Sequence, residues 1–304
     1  MAFQGVYSII PTAFTDAGDI DEASQRRVVD LFIDKGANGL TALGVTGEVA
    51  RLEEHERAEV LAVVVKQAAG RVPVIAGTSA DGTRTCIAYT RQARELGASA
   101  VMVSPPRMPK LNSNAVVAHY KALADAVDLP IIVQDYPPIA GFAMEPSLLA
   151  RIAKEIPSAR TIKLEDPPTP FKTARILEAA GDTKVQIFGG LGGVFLLEEL
   201  VSGATGAMTG FAFPEILARI MTHWNAGEKD AAADVFYRAV PLMRFEFQEG
   251  IGMAIRKEVL RRRGALASAA TRAPAGGLDA PTRLALDRVL TWVTTQKGME
   301  WISV

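Results

Sequence analysis

The feature that most limits the fold of this chain is a series of short apolar segments, rich in β-branched residues, that recur through its first 225 residues. Each segment is followed by a turn and then by apolar residues at helical spacing, so strands and helices alternate. The eight segments are Val6–Ile10, Leu40–Gly44, Val72–Gly77, Ala100–Ser104, Ile131–Val133, Thr161–Leu164, Val185–Phe188 and Gly206–Thr209. Because a helix between two strands returns the chain to the same edge of a sheet, parallel pairing is predicted. Eight such units predict an α/β fold, a closed (β/α)8 TIM barrel.

After Asn225 the pattern becomes purely helical. Three helices are predicted there, at Glu228–Met243, Phe245–Arg263 and Pro281–Thr295. We interpret residues 1–225 as the barrel and residues 226–304 as C-terminal helices packed on it. The segment Ala265–Ala280, rich in Gly, Pro and Ala, is predicted to be the flexible connection within this helical appendage.

Composition narrows the class of protein. The 33 Lys and Arg residues nearly cancel the 34 Asp and Glu residues, which argues against a nucleic-acid partner. Cys86 is the one cysteine, so a disulfide framework and a thiolate metal cage are not expected. The N-terminus has no charged region followed by an apolar run, and no segment has the length needed to span a bilayer. A soluble, cytoplasmic protein without a membrane partner is expected.

Lys163 is the strongest candidate for chemistry. In a TIM barrel the catalytic groups lie at the C-terminal ends of strands. Period-two alternation places Ile162 and Leu164 on one face of their strand and Lys163 with Glu165 on the other, so Lys163 is predicted to point into the barrel. A desolvated lysine loses its proton readily, and the neutral amine condenses with ketones. The residues alone equally allow a structural Lys163–Glu165 ion pair or a lysine that reaches solvent at the strand end.

Two glycine-rich turns are candidate anion sites. Gly44–Glu48 closes the second strand, where backbone amides could bind a carboxylate, although a plain turn before a helix explains it as well. Gly189–Gly193 follows the seventh strand, where many barrels bind a substrate phosphate. The histidines, which are His55, His119 and His223, lack ligand spacing, and no metal site is predicted.

With these residues in place, the chain resembles the dihydrodipicolinate synthase and N-acetylneuraminate lyase family of Schiff-base aldolases and dehydratases. The matching landmarks, in order, are Gly5-Val6-Tyr7-Ser8, Gly44-Val45-Thr46-Gly47-Glu48, Val72–Gly77, Ser104-Pro105, Leu129–Ile132 running to Pro137 and Gly141, and Ile162-Lys163. The resemblance implies a lyase that binds pyruvate or a related small 2-oxo acid through an imine at Lys163. It implies a carboxylate site at Val45 and Thr46, and pocket lining by Ser8, Gly189 and Met208. It also implies a homotetramer that needs no metal or organic cofactor.

Departures from the family pattern reduce the number of substrates that are expected. Gln134 stands where the family usually has a proton-relaying tyrosine, and an amide is neither an acid nor a base near neutral pH. Ile139 stands where dihydrodipicolinate synthases have an arginine for the second carboxylate, which argues against that reaction. Gln134-Asp135, with Glu165 two residues after the lysine, instead resembles the branch that dehydrates 2-keto-3-deoxy sugar acids, and a carbon–carbon lyase with an unknown aldehyde partner stays open beside it. Proton transfer there would fall to Glu165, to Asp135 or to a water held by Gln134.

Arg107, in the loop after the fourth strand, is predicted to bind the distal end of the substrate, although an arginine merely exposed on the loop explains the sequence equally well. Two prolines before it restrict the loop, and a guanidinium stays protonated while it binds a carboxylate or hydroxyls. Three functions stay open on the sequence: a Schiff-base lyase, a barrel enzyme that holds a phosphorylated substrate at Gly189–Gly193, and a non-catalytic paralogue that binds a 2-oxo acid.

Overall fold

The computed structural model describes residues 3–304 and has eight parallel strands that close into a barrel in chain order. The strands are β1 (Gly5–Ile9), β2 (Gly39–Ala42), β3 (Val74–Gly77), β4 (Ala100–Val103), β5 (Ile131–Asp135), β6 (Thr161–Leu164), β7 (Gln186–Gly189) and β8 (Gly206–Thr209). Pairing of β1 with β8 closes the barrel. The predicted (β/α)8 barrel is confirmed, and every predicted apolar segment overlaps a strand.

The α-helices follow the strands and then continue into the C-terminal appendage. Within residues 3–304 they are α1 (Glu22–Asp34), α2 (Glu54–Ala68), α3 (Thr83–Glu95), α4 (Ser113–Ala126), α5 (Pro137–Ala140), α6 (Pro146–Glu155), α7 (Thr169–Ala180), α8 (Leu196–Val201), α9 (Pro214–Asn225), α10 (Lys229–Glu246), α11 (Gly252–Arg262) and α12 (Ala280–Thr294). None of these helices combines the length and apolar character needed to cross a membrane.

Strand alternation divides the apolar residues between two cores. Ile162 and Leu164 belong to the large core between strands and helices, as predicted. A smaller core fills the inside of the barrel, and its members are Phe3, Tyr7, Ile9, Ile75, Ala100, Met102, Ile132, Phe188 and Met208. The inner core leaves the C-terminal ends of the strands for polar groups, which is where a TIM barrel carries its chemistry.

The appendage differs from its predicted form at one break. Helix α10 continues to Glu246, and the next helix begins at Gly252 instead of Phe245. A turn separates them because Gly250 has a left-handed backbone and a Cβ on Gly252 would lie 2.4 Å from the Glu246 carbonyl oxygen. The turn faces the barrel mouth. The division of the chain at residue 225 stays a prediction, although α9 does end at Asn225.

The connection between α11 and α12 has no regular secondary structure, but it is tied to the barrel at Arg272. This guanidinium contacts both carboxylate oxygens of Glu56, donates to the Gly18 carbonyl at 2.8 Å and lies over the Phe14 ring. The segment that was expected to be flexible is therefore anchored near its centre.

Candidate active site

Lys163 lies inside the barrel, near the C-terminal end of β6. In the strand register it is level with Gln134 of β5 and Phe188 of β7. Its side chain is only 2% exposed, and this burial lowers the pKa of Lys163. The Glu165 carboxylate opposes that change in pKa and the Arg256 guanidinium adds to it. A buried amine with a depressed pKa is the form of lysine that acts as a nucleophile near neutral pH.

Glu165 is held against Lys163 by a chain of hydrogen bonds. One oxygen of Glu165, Oε2, lies 2.7 Å from Lys163 Nζ and accepts from Gln134 Nε2, also at 2.7 Å. The other end of that amide, Gln134 Oε1, accepts from Ser104 Oγ at 3.0 Å. The two bonds fix the direction of the amide, because only one orientation satisfies both the donor and the acceptor. Gln134 therefore positions the carboxylate next to the amine.

A cavity of about 220 Å³ opens in front of Lys163. The barrel contributes one part of its wall: Ile9, Val45, Thr46, Arg51, Tyr136, Lys163, Glu165, Gly192, Thr209 and Gly210. The C-terminal appendage contributes the rest: Glu246, Phe247, Gln248, Glu249, Gly250, Gly252, Met253 and Arg256. The appendage is thus part of the site, and the cavity has the size for a small molecule.

The turn after β2 provides a candidate carboxylate site on the cavity wall. Val45–Gly47 form a single 3-10 turn, and the first amides of such a turn have no partner within it. The Thr46 Oγ1 atom is buried without a hydrogen-bond partner among residues 3–304. Unpaired backbone donors beside an unpaired hydroxyl suit an anion. Both residues line the cavity that contains Lys163.

Glu48, at the end of this turn, is an anchor for the appendage. It has a left-handed backbone, with φ at 57°, and its buried carboxylate lies 2.5 Å from Lys257 Nζ on α11. It also accepts from Arg51 at 2.9 Å. The alternative that the turn merely precedes a helix does not describe Glu48, because its side chain joins the carboxylate turn to the appendage.

The glycines after β7 make room for carboxylates. A Cβ on Gly189 would lie 1.6 Å from an oxygen of Glu199, and one on Gly190 would lie 2.1 Å from Glu165 Cγ. Burial raises the pKa of Glu199 to about 7. Acidic side chains packed on this loop would repel a phosphate, which counts against the phosphorylated-substrate alternative.

Some predicted site residues lie outside the cavity wall. Ser8 and Met208 are buried in the strands, and Met208 belongs to the inner core. Arg107 is exposed, and its backbone amide donates to Asp81 at 3.0 Å. Asp135 is buried and accepts from Lys172 Nζ at 2.6 Å, away from Lys163. Burial raises the pKa of Asp135 to about 6.

Several residues that line the cavity were not predicted from the sequence, among them Tyr136, Glu246 and Arg256. Tyr136 carried a usable signal, since it is two residues after Gln134 and period-two alternation favours the same face. Burial raises its pKa, as do the nearby carboxylates Glu165 and Glu249. Glu246 and Arg256 carried no local signal, because they flank the turn that separates two helices of the appendage.

The histidines are engaged in local contacts. His119 Nδ1 lies 2.9 Å from Thr83 Oγ1, His223 Nδ1 lies 2.6 Å from Glu228, and His55 Nδ1 lies 3.5 Å from Glu53. Among residues 3–304 there is no group of three or more His, Cys, Asp or Glu side chains that could hold a metal ion.

The chain is similar to proteins of one family along nearly its whole length. Residues 2–292 match the dihydrodipicolinate synthetase family. An L-2-keto-3-deoxyarabonate dehydratase of Azospirillum brasilense is 35% identical over 289 residues, which are 93% of this chain and 92% of the relative. A 4-hydroxy-tetrahydrodipicolinate synthase of Pelobacter propionicus is 34% identical over 76% of this chain and 78% of its own. The crystal structure of a dihydrodipicolinate synthase from Rhodopseudomonas palustris superposes with a TM-score of 0.89 at 34% identity, covering 95% of this chain and 97% of that one.

Proposed function

Because this chain belongs to the dihydrodipicolinate synthetase family and is a lyase of that family, we propose that Lys163 forms an imine with a 2-keto-3-deoxy sugar acid and that the enzyme dehydrates it. The observation that carries this proposal is the position of Lys163, buried on the cavity wall with Glu165 at 2.7 Å from its Nζ. Another relative of similar identity is a 4-hydroxy-tetrahydrodipicolinate synthase, so the choice of reaction rests on the residues around the lysine.

The first step is imine formation. Lys163 Nζ gives a proton to Glu165 and attacks the 2-oxo carbon. The former carbonyl oxygen takes a second proton from the nitrogen and the proton held by Glu165, and it leaves as water. The iminium nitrogen keeps one proton, and Glu165 is again a carboxylate. The substrate carboxylate binds at the turn, where the amides of Val45 and Thr46 and the Thr46 hydroxyl are free to donate. Burial favours this step because it lowers the pKa of Lys163 and so populates the neutral amine.

The second step is loss of the hydroxyl at C4. Glu165 removes a proton from C3, and the electron pair moves toward the imine nitrogen to give an enamine. The enamine then expels the C4 oxygen, which takes a proton and leaves as water, and a second water hydrolyses the imine to free Lys163. Tyr136 is the candidate acid for the leaving oxygen, because it lines the cavity and its raised pKa keeps the phenol protonated.

Gln134 favours dehydration over the synthase reaction. An amide at the position of the family tyrosine holds Glu165 in place and relays no proton itself. Ile139, where the synthases have an arginine, cannot bind the second carboxylate of their product. Condensation or cleavage of a carbon–carbon bond through the same imine is the second candidate, supported by the 34% identity to solved synthase structure.

Borohydride reduction in the presence of pyruvate tests the imine. Intact mass should show one permanent adduct, and peptide mapping should place it in the peptide that contains Thr161–Glu165. An adduct on Lys110 or Lys172 instead would contradict the assignment. Product analysis with a 2-keto-3-deoxypentonate then separates the two candidate reactions, since dehydration retains all five carbons and cleavage releases pyruvate. Activity that disappears with a chelator would contradict a mechanism made of side chains alone.

We also propose that the active form is a homotetramer. The chain has several exposed large apolar side chains that an interface would cover, among them Phe171, Val201, Tyr237 and Trp292. Light scattering at several concentrations should return four chains. A monomer that does not change with concentration would contradict this.

A further inference from the structure

The strongest unexplained feature of the cavity is a buried pair of opposite charges whose side chains do not form a hydrogen bond with each other. Arg256 Nε lies 3.7 Å from Glu246 Oε2, and the two side chains are 9% and 0% exposed. That separation is longer than a hydrogen bond, whose donor and acceptor lie about 2.7–3.2 Å apart. Among residues 3–304, Arg256 Nε and Glu246 Oε1 are both buried without a hydrogen-bond partner.

Leaving such groups unpaired is costly. A buried donor or acceptor without a partner destabilises the fold, and the loss is greater when the group is charged. Buried polar groups in proteins are nearly always hydrogen-bonded, so an exception inside a cavity points to a ligand that completes the bonds. Glu246 Oε2 already accepts from the Ala212 amide at 3.0 Å, which fixes the carboxylate and leaves Oε1 free.

The pair comes from the appendage, whereas the imine lysine comes from the barrel. Arg256 lies on α11 and Glu246 ends α10, and the tight turn at Gly252 joins them. Both residues line the same cavity as Lys163. In the proposed complex, C2 of the substrate is bonded to Lys163 and the C1 carboxylate is bound at Thr46. The part of the substrate that can contact Arg256 and Glu246 is therefore the end opposite to C1.

We infer that Arg256 and Glu246 bind the terminal hydroxyl of the substrate, the one on C5 beyond the leaving hydroxyl on C4. This inference rests on the proposed function. A hydroxyl suits the pair because it accepts a hydrogen bond from the guanidinium and donates one to the carboxylate. A second substrate carboxylate suits it less, because it would lie beside Glu246, a carboxyl group of the same charge whose pKa burial already raises to about 7.

Three substrates that differ only at C5 test this inference. All carry a 2-oxo acid and a C4 hydroxyl, and C5 is a hydroxymethyl group in 2-keto-3-deoxypentonate, a methyl group in 4-hydroxy-2-oxopentanoate and a carboxylate in 4-hydroxy-2-oxoglutarate. The wild-type enzyme should prefer the hydroxymethyl substrate over the methyl substrate by about 10- to 100-fold in kcat/KM, the worth of hydrogen bonds to charged groups. A preference for the carboxylate substrate would overturn the inference.

Arg256→Met should reduce the ratio of kcat/KM between the hydroxymethyl and the methyl substrate to about one, with a larger change in KM than in kcat. Glu246→Gln should reduce this ratio in part. The ratio of two substrates on one variant corrects for damage to the fold, which lowers both rates alike. Arg256→Lys keeps a charge without the planar fork and provides the measurement if Arg256→Met does not fold. Arg261→Met is the matched control, because Arg261 lies on the same helix and pairs with Glu258 outside the cavity.

An unchanged preference in the Arg256 and Glu246 variants would overturn the inference. The proposed function is tested separately by the borohydride adduct of the wild-type enzyme with pyruvate, which has no C5. An adduct without a C5 preference removes only this inference, whereas the absence of an adduct at Lys163 removes both.

Discussion

Residues 3–304 contain two buried lysine–glutamate pairs, and one of them faces the cavity whereas the other does not. Lys163 Nζ is 2.7 Å from Glu165 and Lys257 Nζ is 2.5 Å from Glu48, with both lysines almost fully buried. Burial lowers the pKa of each lysine, and the partner carboxylate opposes that change in each case. Burial, pairing and the direction of the pKa change therefore do not distinguish the two lysines.

Their surroundings separate them. Lys257 also donates to the Ala270 carbonyl at 2.7 Å and lies over the Phe14 ring, so protein groups surround its ammonium. Lys163 lies on the cavity wall, where a small molecule can approach it. A lysine with a lowered pKa is therefore a candidate nucleophile only where the structure leaves room for an electrophile. Lys257 has the opposite role, since it fastens the appendage to the turn after β2.

The largest effect should come from Lys163→Met. Loss of a covalent nucleophile lowers kcat by about 10³-fold or more, and the borohydride adduct with pyruvate should disappear. Lys257→Met should still form the adduct at the Thr161–Glu165 peptide. Mass spectrometry of both variants makes the measurement, and an adduct that is lost only in Lys257→Met would reverse the roles of the two lysines.

The second effect is on the stability of the fold, and it should come from the pair formed by Lys257 and Glu48. Lys257→Met leaves the buried Glu48 with Arg51 as its remaining charged partner, so the free energy of unfolding should fall by about 2–3 kcal/mol, somewhat less than the loss for a fully broken buried pair. Urea denaturation followed by circular dichroism measures it. Lys121→Met, at an exposed lysine on α4, should change the free energy by less than about 0.5 kcal/mol.

The third effect concerns the pH at which Lys163 reacts. Since burial lowers its pKa below 10.5, the rate of pyruvate trapping should rise with pH and level off below that value. Glu165 raises the pKa of Lys163 and Arg256 lowers it. The midpoint should therefore move to lower pH in Glu165→Gln and to higher pH in Arg256→Met. Midpoints that shift in the same direction would show that the two charges do not act on Lys163 as described.

The smallest effect should come from Arg107→Ala. The sequence made Arg107 the candidate for the distal end of the substrate, but its side chain is exposed and is not part of the cavity wall. We expect kcat/KM for the 2-keto-3-deoxypentonate to change by less than about 3-fold, in the range of surface substitutions. A decrease of 10-fold or more in kcat/KM would show that Arg107 does bind the substrate.

What the sequence predicts correctly follows from local periodicity. The alternation in Thr161–Leu164 is enough to separate Ile162 from Lys163, because successive residues of a strand face opposite sides. The ion pair between Lys163 and Glu165, which the sequence left open as an alternative to a catalytic lysine, is present. Both residues also line the cavity, so the ion pair does not exclude a catalytic role for Lys163. The closed barrel likewise follows from repeated strand–helix units.

What the sequence does not predict depends on packing between distant segments. Arg256 reaches the cavity only because α10 ends at Glu246 and a turn precedes α11 at Gly252. The sequence predicts a break between Met243 and Phe245, but it gives neither the length of the turn nor the direction in which the next helix leaves it. The same holds for Lys257, whose partner Glu48 is more than two hundred residues away in the sequence. Arg107 was chosen because it lies after a strand end, but position in a loop does not fix where a long side chain points.

Along the sequence, the residues of the far cavity wall, around the turn at Gly252, are separate from the residues that would carry the imine chemistry. The segment from Glu246 to Arg256 forms the far wall of the cavity, and it is encoded apart from the barrel strands that carry Lys163, Glu165 and Gln134. Changes within those eleven positions can therefore be made without touching Lys163 or Glu165, provided that residue 252 remains glycine. Arg256 is the exception, because its charge also lowers the pKa of Lys163. A library confined to this segment would be the shortest route to an enzyme with the same reaction and a different sugar acid.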